Sequence, residues 1–144
     1  MQAFRLDSIS CRLADLFRHA TPSGRRQAAR IACEAAASSA GLTGREVVAA
    51  TARLRTGAAA GASLRGQLEA LAARLDGNYL RLDQNGDPSD KSEALRVFSK
   101  ARAASALAFA LSSDTAGLHE AIYEAVVAMN DPGELIRLVE EALR

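Results

Sequence analysis

Alanine fills 32 of the 144 positions, and it recurs inside stretches of helical period rather than in linkers. It loses no side-chain entropy in a helix and has the highest intrinsic helix propensity. Its small side chain also lets helix axes approach closely. No window of four or more residues alternates apolar and polar as a half-buried strand does. The expected fold is all-α, a single-domain bundle of about seven helices.

A chain of 144 residues fits one domain and buries roughly two-thirds of its unfolded surface. With four Phe, two Tyr and no Trp, its core must be Leu, Ala, Val and Ile. The net charge of +1 points to neither nucleic acid nor a membrane. Its distribution is uneven. Residues 1–76 carry eleven Arg, no Lys and six acidic residues, whereas residues 77–144 carry seven bases against eleven acids. Arginine alone suits carboxylate or phosphate recognition, but it also follows from a GC-rich genome. Cys11 and Cys33 lack CxxC or His-ligand spacing and read as two buried thiols of a cytosolic protein. Arg5 and Asp7 interrupt what a signal peptide would keep apolar. The longest apolar stretch, Ala103 to Leu111, is broken by Ser105 and is half the length of a membrane span. These features predict a soluble, intracellular protein.

Periodicity places helix one at about Ser8–Ala20, burying Ile9, Leu13, Leu16 and Phe17. Thr21-Pro22-Ser23-Gly24 then reads as a break, followed by helix two at about Arg25–Ala40. Gly41 ends it. Thr43 and Glu46 form a capping-box pattern for helix three, which is anchored by Val47, Val48 and Leu54. Residues 56–62, rich in Gly and Ala, read as a hinge. Leu64, Leu68, Leu71, Leu75, Tyr79 and Leu82 predict one helix running through Gly77 to Asn85-Gly86. Asp87 caps the next helix, with Pro88 in its first position. That helix, about Pro88–Ser112, is apolar nearly all round after Arg102 and should be central, with Phe98 facing the core beside Leu95 and Ala101. A helix from Ser113-Asp114 presents Leu118, Ile122, Ala125, Val126 and Met129, and a last one presents Leu135, Leu138, Val139 and Leu143. The chain divides on this reading into an Arg-rich three-helix part, 1–56, and an acidic four-helix part, 63–144. The latter is built on a long antiparallel hairpin of about 63–84 and 88–112.

Asp83 to Asp87 resembles the start of a calcium loop, but Pro88 stands where the loop needs Gly, and Ala94 where it needs Glu. No metal and no cofactor are expected. Residues 68–104 resemble one tetratricopeptide-type hairpin through Gly77, Tyr79 and the Ala94-x3-Phe98-x2-Ala101 pattern. The connecting loop is longer than in that repeat and no second copy follows, so the resemblance implies helical-hairpin packing only. Cys33 to Ala52 fits a helix-turn-helix pattern, with Ala37, Gly41 and Val47 at its small, turn and apolar positions. Of the residues its second helix turns outward, only Arg45 reads a base edge well.

The most chemically furnished stretch is His119 to Glu124. His119 and Tyr123 share one helical stripe, and Glu120 and Glu124 the next. No di-iron motif or nucleophile accompanies them. Their mixed aromatic, apolar and acidic character is that of an interface. The sequence therefore predicts a non-catalytic cytoplasmic protein-binding module, of the inhibitor, immunity, antitoxin or adaptor-chaperone kind. Its contact residues would be His119, Glu120, Tyr123 and Glu124, with Asp87 and Asp90 at the hairpin turn, and His119 a surface contact. The partner would be another protein, basic if steered by the acidic half. Self-association is a further option, and DNA binding through 33–52 is the alternative.

Overall fold

The computed structural model describes residues 4–57, 62–112 and 114–144. These residues form seven α-helices and no strand: α1 Cys11–His19, α2 Pro22–Ala40, α3 Arg45–Thr56, α4 Ala62–Asn85, α5 Pro88–Ala110, α6 Leu118–Val127 and α7 Gly133–Leu143. Two 3-10 turns, Arg5–Ser8 and Thr115–Gly117, precede α1 and α6. The fold is the all-α bundle expected from the alanine pattern.

Local signals fix most boundaries. Asp87 accepts a hydrogen bond from the Ser89 amide at 2.9 Å, and Pro88 occupies the first turn of α5, where an amide donor would have no intrahelical partner. Gly41 closes α2 in the left-handed region at φ 70°, which costs an L-residue with a Cβ about 1 kcal/mol or more. The Leu42 amide then reaches back to the Ala37 carbonyl at 2.9 Å, and Leu42 is buried. The helix through Gly77 is continuous.

Several expectations need correction. Thr21-Pro22-Ser23-Gly24 is a helix start: the Thr21 hydroxyl accepts from the Gly24 amide at 3.0 Å, and Pro22 opens α2. Helix one begins later than Ser8 because Ser10 caps it, accepting from Leu13. Gly44 rather than Thr43 stands at the N-cap of α3, without a side-chain cap. Val48, expected as an anchor of α3, is 70% exposed, while Val47 and Ala50 point inward. Cys33 is buried, but Cys11 is exposed. Of the hinge expected at 56–62, Thr56 closes α3, Gly57 caps it and Ala62 opens α4, while residues 58–61 lie outside the described residues. Ser113, expected to open the sixth helix, also lies outside them, and Asp114 caps the turn that precedes α6.

One core cluster takes residues from Leu6 to Leu143. Its centre is α5, which packs on α4, α6 and α2, while α2 also packs on α6 and α7. Ala101, Ala103, Ala104, Ala106, Ala108 and Ala110 are buried on several sides of α5. The first two turns of α5 and the last of α4 extend past this cluster as an antiparallel hairpin. Leu95 is 64% exposed there, and Phe98 is half-buried rather than central. The inward residues at this level are Ala94, Val97 and Ala101.

Packing at an alanine seam leaves no space for added methylenes. Ala104→Leu should destabilise the fold by about 1–3 kcal/mol in urea denaturation, the usual cost of overpacking. Ala70→Leu, on the exposed face of α4, should leave stability within about 0.5 kcal/mol.

Candidate functional site

Where the hairpin leaves the core, α4, α5 and α6 enclose a groove of about 350 Å³, lined by Tyr79, Leu80, Phe98, Tyr123 and Val127 together with Arg5, Asp76, Arg102 and Glu124. Helical spacing creates it. Tyr79 and Asp76 are one turn apart on α4, Phe98 and Arg102 one turn apart on α5, and Tyr123 and Val127 one turn apart on α6, with Glu124 next to Tyr123. Both tyrosines of the chain are therefore in one place. The Tyr79 and Phe98 rings meet at 5.4 Å between centroids, and Leu80 beside them is 56% exposed.

The groove's charges are tied to one another. Glu124 is buried, its side chain only 5% exposed, and it accepts from Arg102 Nη1 at 3.0 Å and from Arg5 Nη2 at 3.2 Å. Arg102 Nη2 also donates to both carboxylate oxygens of Asp76, at 2.7 and 2.9 Å. Arg5 donates to Glu120 as well, through Nε at 2.9 Å and through Nη2. Its guanidinium lies over the Tyr123 ring, 4.2 Å from the centroid. Arg102 lies 5.8 Å from the Phe98 centroid, and its buried Nε has no hydrogen-bond partner.

The structure places the four α6 residues together but not on an open acidic face. His119 is stacked on Phe4, centroids 3.9 Å apart and planes 17° off parallel, and it meets Phe17 edge-on at 5.7 Å. It is thus enclosed rather than the surface residue expected, because residues 4–8 fold back across α6. Burial lowers its pKa from the ordinary 6.5, opposed by Glu120 and reinforced by Arg5, Arg18 and Arg25. Glu120 and Glu124 are both occupied by arginines. Asp87 and Asp90 serve the hairpin turn, the former capping α5 and the latter accepting from Asn85 at 3.3 Å. They stand 15 and 12 residues along α5 from Arg102, or roughly 22 and 18 Å along its axis. The structure does not join them to the α6 residues.

Sequence reasoning did not single out Arg5, Asp76 and Arg102 as site residues. Arg102 carried a usable signal, since the last cation ahead of a stretch apolar but for Ser105 needs a carboxylate from another helix. Arg5 carried none, because its partners are 115 and 119 residues away. Among the described residues, no group of three or more His, Cys, Asp and Glu is placed to hold a metal ion, and no helix is long and apolar enough to cross a membrane. No protein-family model matches the chain, and neither curated proteins nor solved structures give a match.

Removing the negative charge of Glu124 leaves two arginines short of a partner. Glu124→Gln should cost about 2–3 kcal/mol, the upper range for hydrogen bonds to charged groups. The half-exposed Arg5 keeps the loss below that for a fully buried pair. Urea denaturation at neutral pH measures it, and a loss below about 0.5 kcal/mol would remove Glu124 from its tying role.

Proposed function

We propose that the protein is a non-catalytic protein-binding module of the cytoplasm, and that its contact surface is the groove between the α4–α5 hairpin and α6. The observation that carries this reading is the gathering of Tyr79, Tyr123, Phe98, Leu80 and Val127 around Arg5 and Arg102. Aromatic residues and arginine are enriched in the buried centres of interfaces. The ionisable groups there are engaged in mutual ion pairs, which suits recognition better than proton transfer. Asp83 and Asp87, exposed near the hairpin tip, with the half-buried Asp90 beside them, favour a basic partner. An inhibitor, an immunity or antitoxin partner and an adaptor each need such a face and no chemistry of their own. The cytoplasm fits two unpaired thiols, one of them exposed.

A second reading rests on the α2–α3 corner. Ala37 and Val47 are buried and Gly41 is left-handed, as a helix-turn-helix requires, while Thr43, Arg45, Val48 and Ala49 face outward. This corner would bind duplex DNA through the Arg-rich half.

Photo-crosslinking in the source cells separates the two. p-Benzoylphenylalanine at Leu80 is expected to give a discrete protein adduct that is absent when the same residue is placed at Gln67, an exposed position of α4. Tyr123→Ala should weaken that partner's binding by about 2 kcal/mol or more. Adducts from Ala49 alone, with salt-sensitive retention of a DNA duplex in fluorescence anisotropy, would replace the groove reading with the second one.

A further inference from the structure

Phe4 and the 3-10 turn Arg5–Ser8 lie across the part of α6 that carries Glu120, Tyr123 and Glu124. Three contacts hold the segment there. Phe4 stacks on His119, Leu6 is fully buried, and Arg5 spans both glutamates while covering the Tyr123 ring. A fourth contact ties it to α1: Asp7 accepts from Arg18 at 2.6 Å and from the Phe4 amide at 2.8 Å. Those two hydrogen bonds hold the Asp7 carboxyl below the usual range.

We infer that residues 4–8 are a cover over this face of α6, latched by the neutral form of His119 and released when that ring takes up a proton. The geometry puts the ring beneath Phe4 and beside a carboxylate that the cover also uses. His119 Nδ1 is 3.4 Å from Glu120 Oε1, buried and without a hydrogen bond, while Arg5 holds Glu120 through Oε2. An imidazolium has donors on both ring nitrogens. Protonation places a positive charge on a ring enclosed by Phe4 and Phe17 and faced by Arg5 from the cover, Arg18 from α1 and Arg25 from α2. Of these only Phe4 and Arg5 move away when the cover lifts. The negative groups nearby are Glu120 and Glu124 on α6 and Asp7 in the cover, each already paired with an arginine. The imidazolium keeps an attraction for the Phe4 ring and for Glu120, which the repulsion from Arg5 and the ring's desolvation beneath the cover must outweigh.

The direction follows from linkage. Docked, the His119 ring is desolvated beneath Phe4 with Arg5 close by, and it sits below its ordinary value of 6.5. Undocking takes Phe4 and Arg5 away while Arg18 and Arg25 stay, so the undocked state binds the proton better. Docking is at full strength above pH about 6.5 and weakens as the pH falls below it. Release uncovers Glu120 and the Tyr123 face, part of the surface singled out from the sequence, while Glu124 stays paired with Arg102. The test of the cover needs no partner.

The test is an NMR titration of the full chain from about pH 7.5 to about pH 5. The amides of Arg5, Leu6 and Asp7 are expected to leave their docked positions at the midpoint shown by the His119 ring protons, while the Val139 amide in α7 stays in place. His119→Phe keeps an aromatic ring against Phe4 without a titrating group, and its cover should remain docked to the lower limit. Titration of His119 with those amides unmoved overturns the proposal. So does release at the same pH in His119→Phe, which would assign the event to Asp7, Glu120 or Glu124. Should that variant fail to fold, the agreement or disagreement of the two wild-type midpoints still decides.

Discussion

The closeness with which α5 approaches α2, α4 and α6 governs the rest of the molecule. Buried alanines occur on α5 and on two helices packed against it, α2, at Ala28, Ala29, Ala32, Ala36 and Ala37, and α6, at Ala121 and Ala125. Side chains of one methyl group allow interaxial distances near the short end of the usual 8–10 Å. The stabilisation then comes from many backbone and methyl contacts at van der Waals distance rather than from large side chains. Phe17 is fully buried in this core, with Phe4 and His119 gathered against it at one edge, and Tyr79, Phe98 and Tyr123 gather at another.

Those two edges are linked through a single carboxylate. Glu124 accepts from Arg102 on α5 and from Arg5 on the opening segment, and Arg102 goes on to Asp76 on α4. A buried carboxylate is tolerated only with its charge matched and its oxygens hydrogen-bonded. The pairing therefore fixes the relative placement of three helices and the opening segment more narrowly than apolar contact would. It also explains why α6 combines strongly apolar residues with two glutamates one turn apart.

Several of the local interactions were displayed by the sequence, though the caps at Ser10 and Gly44 were not. Asp87-Pro88 at the start of α5, the unbroken leucine pattern through Gly77 and the burial of α5 beyond Arg102 all follow from residues within a turn or two of one another. The signals at Thr21-Pro22 were present but ambiguous, since proline both ends one helix and suits the first turn of the next. Val48 is as apolar as Val47, and only the packing of α3 decides which of them is covered. His119 and its neighbours were recognisable as a group of unusual composition. Their environment was not, because Phe4 and Arg5, which enclose them, are more than a hundred residues away.

That separation bears on how the chain reaches its final form. Helices α4 and α5 are joined by a two-residue turn, so their pairing closes almost no loop. The Arg5 contacts with Glu120 and Glu124 span 115 and 119 residues. Closing a flexible loop of that length has an entropic cost on the order of 4 kcal/mol. The cost falls away once the intervening helices have assembled and hold α6 in position. Attachment of residues 4–8 is thus a late event, one that registers the arrival of every other helix at its place.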